Sequence, residues 1–224
     1  MDTMSAVRAT WLLFPYLDWG ATLLWATSGA MLAARRGCDL SGIFAVALVS
    51  ATGGGLLRDG LFLQQGPPAL LRTPTYLELV AAAVIGLALF GSALRRLSWL
   101  GRLIDVVDAL GLGAYAVVGM ILAREARLPL IAVVVVGMVN AVGGGVLRDV
   151  LLGDPPELVR PGLRVNLAVL IGCVAFVLMV SNGTSHEVSG VITVALVFSI
   201  RIAVLRFAWK SAPLKAFEAD WRVD

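Results

Sequence analysis

Long runs of apolar residues, separated by short breaks of charged residues, glycine and proline, make up most of this chain. An α-helix needs about 20 apolar residues to cross the roughly 30 Å hydrocarbon core of a bilayer. Seven runs approach this length and predict seven transmembrane helices, at about residues 11–34, 39–60, 75–95, 104–123, 128–150, 165–182 and 187–209. The expected fold is therefore an all-α membrane protein.

The first six predicted helices form two copies of a three-helix unit. The segment ATGGGLLRD at 51–59 recurs as AVGGGVLRD at 141–149, and the same offset of 90 residues relates Asp18 to Asp108. A three-helix unit repeated in tandem places its second copy upside down in the membrane, as in many transport proteins. The prediction is one transmembrane domain, 1–224, with repeat one at about 11–95, repeat two at about 104–182 and a seventh helix at about 187–209.

The composition agrees with a membrane protein and argues against other classes. Hydrophobic residues make up 59% of the 224 and charged residues 15%, whereas soluble domains carry roughly 25% charged residues. The two cysteines and the single histidine match no metal-binding pattern, so no metal or cofactor is expected. In a membrane protein, a basic excess such as the net charge of +3 usually comes from the cytoplasmic loops, so no nucleic-acid partner is expected. Because the common catalytic motifs are absent from the sequence, no enzyme is expected either.

Basic residues are distributed unevenly between the two predicted sides of the membrane. The side of the N-terminus carries Arg8, Arg72, Arg124 and Arg127. The opposite side carries Arg35, Arg36, Arg95, Arg96, Arg102, Arg160, Arg164, Arg206, Lys210, Lys215 and Arg222. Since basic loops remain in the cytoplasm, this asymmetry predicts an external N-terminus and a cytoplasmic C-terminus.

Three consecutive glycines lie within the second and the fifth predicted helices. They are Gly53, Gly54 and Gly55 in repeat one and Gly143, Gly144 and Gly145 in repeat two. Each glycine costs roughly 1 kcal/mol against alanine in a helix interior. Either close helix packing or a broken helix that lines a wet cavity could offset this cost. Because the triplet occurs twice, each time before a charged pair, we favour helices kinked at the glycines beside a water-filled path.

An arginine–aspartate pair follows each triplet, Arg58 with Asp59 and Arg148 with Asp149. Neighbours in sequence point away from each other on a regular helix, so pairing within each dipeptide is not expected. Charges at membrane depth usually face the bundle interior or a water-filled pathway. One hypothesis is two cross-repeat ion pairs, Arg58 with Asp149 and Arg148 with Asp59, which lock the halves together. The other is that these charges set the field along a permeation path and gate it.

Other polar and aromatic residues within the apolar runs carry less information. Asp18 and Asp108 are either capping residues near helix ends or inward-facing partners of the motif arginines. Arg201, within the seventh predicted helix, is expected to extend its charge towards the membrane surface. The six tryptophans, Trp25 among them, are interpreted mostly as an aromatic belt at the interfaces.

Two three-helix repeats, each with a GGGxLRD motif in its second helix, followed by a seventh helix, resemble the prokaryotic TRIC proteins, the trimeric intracellular cation channels. The same repeat is known as a "glycine transporter" domain, and the resemblance covers about residues 11–209. It implies a homotrimer in a bacterial inner membrane, with membrane lipid as a further partner. It also implies a pore in each protomer, lined by the two glycine triplets and the Arg-Asp pairs. The implied permeant ions are potassium and, to a smaller extent, sodium.

Three functions remain open at this point, and the resemblance favours the first. They are a passive potassium-permeable channel, a secondary transporter of a small solute such as glycine by alternating access, and a membrane scaffold. Inverted repeats with broken helices are at least as typical of transporters as of channels. Carboxylates and freed carbonyls favour cations whereas Arg58 and Arg148 oppose them, so the residues alone do not determine charge selectivity.

Overall fold

The computed structural model describes the backbone of residues 3–94, 99–159 and 165–207, and all regular structure in these ranges is helical. The α-helices are α1 (Thr3–Arg35), α2 (Leu40–Leu57), α3 (Ala69–Arg72), α4 (Thr75–Leu94), α5 (Leu100–Glu125), α6 (Leu130–Leu151), α7 (Val165–Ser181) and α8 (His186–Phe207). A π-helical segment, Arg58–Leu63, continues α2, and a 3-10 turn, Glu157–Val159, lies between α6 and α7. Apart from the four-residue α3, each α-helix falls on one of the predicted segments.

Several of these helices are suited to a membrane by length and composition. Among the described residues, four segments are long and apolar enough to cross a bilayer, namely Leu40–Leu63, Gly101–Glu125, Leu130–Leu151 and His186–Phe207. Thr75–Gly91 and Leu167–Ser181 are shorter apolar helices. Large apolar side chains also cover the outside, with Ile131 82% and Val191 71% exposed. Such a surface is suited to contact with lipid and not with water.

Local sequence signals fix the ends of the helices. Asp39 caps α2, because its carboxylate accepts hydrogen bonds from the backbone N–H of Gly42 and from the Ser41 hydroxyl. These two hydrogen bonds hold the pKa of Asp39 below its usual range. Gly37 and Gly153, which follow α1 and α6, have positive φ angles that favour glycine and reverse the chain within a few residues.

Helix α5 lies at the centre of the bundle and organises the core. Every residue from 111 to 121 is buried, and α5 packs against α1, α6 and α8. Trp25 of α1, Phe176 of α7 and Met120 of α5 are among the largest fully buried side chains. Besides the packing around α5, a contact between α2 and α6 positions the candidate site.

Candidate functional site

The glycine triplets form the contact between α2 and α6. A Cβ atom added to Gly53 would lie 3.2 Å from the Cα atom of Gly144. One added to Gly143 would lie 3.1 Å from the Cα atom of Gly54. The helix backbones therefore approach so closely that no side chain fits between them, which is the packing role of small residues in membrane helices.

The same contact shows the direction of the two helices. A Cβ atom on Gly54 would collide with the carbonyl oxygen of Asn140, and one on Gly144 with that of Ser50. Along α2, Ser50 comes before Gly54, whereas along α6 the contact of Ser50, Gly144, comes after the contact of Gly54, Asn140. The two helices therefore run antiparallel. The residues that follow each triplet consequently lie at opposite ends of the contact.

Both triplets lie within continuous α-helix, so neither helix breaks at its glycines, and the kink favoured from the sequence stays a prediction. Helix α6 runs without interruption from Leu130 to Leu151, and α2 stays α-helical to Leu57. The departure from α-helical geometry begins only at Arg58, where the π-helical segment starts. Close packing of the two backbones, and not the release of carbonyl groups, is what these glycines provide.

A small cavity of about 20 Å³, the first cavity, lies at the Arg58 end of the contact. Its polar lining residues are Asp18, Thr52, Arg58, Asp59, Tyr76 and Tyr115, and Gly55 contributes backbone. Asp18 is only 6% exposed and accepts a hydrogen bond from the hydroxyl of Tyr76. Two carboxylates thus accompany one guanidinium group in the first cavity.

Arg58 is buried and connects the first motif pair to the other repeat. Its Nε donates to Oδ1 of Asp59 at 2.7 Å, and its Nη1 donates to Oδ1 of Asn140 at 3.3 Å. The second oxygen of Asp59 accepts the backbone N–H of Ala69 at 2.9 Å. Asp59 therefore joins the arginine to the chain segment that follows the π-helix.

A second cavity, also of about 20 Å³, lies at the Arg148 end of the contact. Its polar and aromatic lining residues are Trp25, Asp108, Arg148, Asp149 and Glu157, and Gly145 again contributes backbone. Three carboxylates here accompany one guanidinium group. The two cavities use residues at related positions, since Arg58, Asp59 and Asp18 each recur 90 residues later.

Arg148 makes the corresponding contacts in the second cavity. Its Nε donates to Oδ1 of Asp149 at 3.1 Å, and its Nη1 donates to Oδ1 of Asp108 at 2.9 Å. Its guanidinium carbon lies 5.5 Å from the ring centroid of Trp25, within the range of a cation–π contact. The second oxygen of Asp149 accepts the backbone N–H of Glu157 at 2.9 Å.

The cross-repeat ion pairs, Arg58 with Asp149 and Arg148 with Asp59, are wrong, because each arginine pairs with the aspartate next to it. The long arginine side chain turns its Nε edge towards the following carboxylate while its terminal nitrogens reach a neighbouring helix. Asp108 is the additional partner of Arg148, whereas Asp18 is bonded to Tyr76 instead. Contact across the repeats is made through Asn140 by Arg58 and through Ser28 by Arg148.

Two aromatic residues between the cavities were missed from sequence. Trp25 is buried, contrary to its assignment to the interfacial belt, and packs edge-to-face on Tyr115 with 6.2 Å between ring centroids. The Tyr115 hydroxyl donates to the carbonyl oxygen of Ala51. The signal was available in the sequence, because Trp25 and Tyr115 are related by the repeat offset of 90, as are Ser50 and Asn140.

Two further ion pairs involve the segment after α6. Arg201 of α8 is 4% exposed and donates to the carboxylate of Glu157, so its charge is paired inside the protein with a residue of the turn that follows α6. Burial raises the pKa of Glu157 more than the nearby guanidinium lowers it. Arg36 donates to Asp154, and that carboxylate raises the pKa of Arg36. Within the described residues, no group of His, Cys, Asp and Glu side chains could hold a metal ion.

Comparison with known families identifies both repeats. A family described as "Glycine transporter" matches twice, at residues 15–93 and at residues 105–181. The two matches cover most of the chain and coincide with the two predicted repeats.

Relatives occur in several bacteria. The UPF0126 inner membrane protein YadS of Escherichia coli K12 is 30% identical over 203 residues, which cover 89% of this chain and 95% of that protein. A UPF0126 membrane protein of Deinococcus radiodurans is 36% identical over 143 residues, which are 64% of this chain and 65% of that protein. The chain therefore matches slightly less than two thirds of the Deinococcus relative.

Solved structures with the same fold are TRIC channels. The TRIC trimeric intracellular cation channel orthologue from Rhodobacter sphaeroides superposes with a TM-score of 0.80 at 28% identity, covering 87% of this chain and 98% of that one. A second TRIC cation channel, solved in a study of conductance, superposes with a TM-score of 0.77 at 28% identity and covers 91% of this chain and 98% of that one. With the paired repeat matches and the relatives, these similarities show that the chain belongs to the TRIC family of membrane proteins.

Proposed function

We propose that the protein is a monovalent-cation channel whose pore runs within each protomer, along α2 and α6, through the first and second cavities. The observation that carries the proposal is the arrangement of these cavities at opposite ends of the α2–α6 glycine contact. Each is lined by a buried Arg-Asp pair and by a further aspartate, Asp18 in the first and Asp108 in the second. A path through both would pass the glycine contact between them.

Charge supports cations as the permeant species. Carboxylates outnumber guanidinium groups in both cavities, and a low-dielectric wall strengthens the field of such a group for an ion inside. The solved relatives are named cation channels. For this chain we propose potassium as the main permeant ion, with sodium also passing.

The size of the cavities supports a channel over a transporter of glycine. A cavity needs about 10–15 Å³ to hold one water molecule, and each cavity here measures about 20 Å³. A glycine molecule has five heavy atoms, so binding it would need a wider site than either cavity provides in this conformation. The description "Glycine transporter" therefore finds no matching solute site in either cavity.

The fold and orientation complete the proposal. We propose seven membrane-crossing helices, with repeat two inverted relative to repeat one, as the antiparallel packing of α2 and α6 requires for two related helices. The Arg36–Asp154 ion pair joins two loops that the charge distribution assigns to one side, the cytoplasm. By analogy with the trimeric relatives, we propose a homotrimer in the bacterial inner membrane, surrounded by lipid.

A flux assay separates the channel from its alternatives. Purified protein is reconstituted into liposomes loaded with potassium chloride and diluted into a salt of a large organic cation. The channel predicts potassium efflux, an interior-negative potential and dye-reported proton entry through an added ionophore, with no exchange of labelled glycine. Glycine counterflow without potassium efflux would overturn the proposal in favour of a transporter. The absence of both potassium efflux and glycine counterflow would favour a membrane scaffold.

A further inference from the structure

Helix α8 lies outside both repeats, yet its Arg201 is paired with a residue that lines the second cavity. The guanidinium group of Arg201 donates to the carboxylate of Glu157, which lines that cavity. Glu157 begins the 3-10 turn Glu157–Val159, and its backbone N–H also binds Asp149. The turn is therefore held at two points, one on the motif and one on α8.

Within the described residues, the first cavity has no such attachment. The residue equivalent to Glu157, at an offset of 88, is Ala69, which lines the first cavity and donates its backbone N–H to Asp59 in the same way. A methyl side chain cannot form an ion pair. The two cavities thus share the backbone contact to the motif aspartate and differ in the ion pair with Arg201, which we call the α8 ion pair.

The α8 ion pair is incompletely satisfied. The Nε and Nη1 atoms of Arg201 are buried, and within the described residues neither has a hydrogen-bond partner. Asp105 of α5 is a second carboxylate whose charge interacts with that of Arg201. A buried charge that lacks part of its hydrogen bonds gains less from its position than a fully bonded one, so breaking the α8 ion pair costs less free energy than breaking a fully bonded buried pair.

We propose that the α8 ion pair is a gate on the second cavity only. When the ion pair is formed, it holds the turn Glu157–Val159 against the cavity and keeps the Glu157 carboxylate bound to Arg201. Broken, it releases the turn and frees that carboxylate to face entering cations. The inference rests on the proposed channel function for its role in conduction, but the opening of the cavity is measurable without any current.

Cysteine accessibility tests the opening directly. Val146 lines the second cavity and Leu56, its equivalent at an offset of 90, lines the first. In a background of C38S and C173A, V146C and L56C report reaction rates with a cationic methanethiosulfonate reagent in liposomes. R201Q and E157Q are each expected to speed labelling of V146C by about fivefold or more, the lower range of coupling between sites, and to leave L56C within twofold.

Both outcomes are decisive for the gate. The gate is overturned if R201Q and E157Q leave the labelling rate of V146C within twofold of its rate in the parent background. It is also overturned if the labelling rate of L56C rises equally, because that result means a general loosening of the protein. If R201Q does not fold, E157Q carries the same expectation, since it leaves α8 unchanged. R206Q, an exposed arginine on the same helix, is the matched control and should change neither rate.

Conduction provides the second readout. R201Q and E157Q should raise open probability in single-channel recordings, again by about fivefold or more, and the charge-exchanged double variant R201E/E157R should return it towards the parent value. If the parent conducts and R201Q and E157Q keep its open probability, the proposed gate is overturned and the proposed channel function is not. A parent protein that passes no ions would overturn the proposed function, while the accessibility rates would still decide whether α8 closes the cavity.

Discussion

At the scale of single residues, the aspartate of each motif joins two structures that would otherwise be independent. Asp59 binds Arg58 with one oxygen and the backbone N–H of Ala69 with the other. Asp149 does the same with Arg148 and the backbone N–H of Glu157. The Arg-Asp dipeptide therefore neutralises a buried charge and fixes the turn that covers the cavity.

Removal of a motif arginine should affect both stability and conduction. In R148Q, Asp108 and Asp149 lose a buried partner, and breaking a buried ion pair in this way costs about 3–5 kcal/mol. Less positive charge beside the path should also raise the unitary potassium conductance. Thermal unfolding and single-channel recording measure the two effects, and R58Q is expected to behave likewise. The exposed arginines Arg35 and Arg206 provide controls; equal effects at all four sites would contradict a pore at the motif.

The aspartates of α1 and α5 should determine charge selectivity. D18N and D108N each remove one negative charge from a cavity while keeping an oxygen that accepts a hydrogen bond. We expect a lower potassium-to-chloride permeability ratio in both variants, measured from the reversal potential in a potassium chloride gradient. E125Q, at the opposite end of α5 from Asp108, is the control and should keep the parent ratio. If D18N and D108N keep the potassium-to-chloride permeability ratio of the parent, the permeation path lies elsewhere.

At the scale of helices, the α2–α6 contact is the element on which the two cavities depend. Its backbones meet at the glycine triplets, so the contact leaves no room for side chains. Packing and hydrogen bonds, and not the hydrophobic effect, drive helix association in lipid, so close backbone approach is a main source of stability there.

Alanine at the contact should separate the helices. A methyl group at Gly54 or Gly144 collides with a backbone carbonyl of the other helix, and overpacking of this kind costs about 1–3 kcal/mol. Each of G54A and G144A should lower the thermal unfolding midpoint. In contrast, G86A of α4 adds a methyl with no atom within 4 Å and should be neutral or stabilising, because alanine is the better helix former. A midpoint equal to that of the parent in G54A would argue against the contact.

At the scale of the whole molecule, hydropathy and the repeat predicted the helices because both depend on sequence alone. The positions of the long helices follow from apolar length, and the offset of 90 locates both motifs. The partners of buried groups did not follow, because they depend on which helix faces which. Arg201 illustrates this, since nothing in its own segment indicates Glu157. Trp25 was misplaced for the same reason, because an aromatic residue in an apolar run is suited to either an interface or a core.

The orientation of the molecule gives a prediction of its own. The excess of basic residues on one predicted side places the C-terminus in the cytoplasm. Fusion of green fluorescent protein after Asp224 should therefore be fluorescent in bacterial cells, and fusion of alkaline phosphatase at the same position should be inactive. The reverse pair of results would invert the predicted orientation and place the C-terminus outside the cytoplasm.

Single-channel recording of the purified protein in planar bilayers tests whether cations pass through both cavities of each protomer. The recording is made under a potassium chloride gradient. A cation path through the protomer should give discrete openings that reverse near the potassium equilibrium potential. Openings that reverse near the chloride potential, or a silent bilayer with protein shown to be inserted and folded, would contradict it.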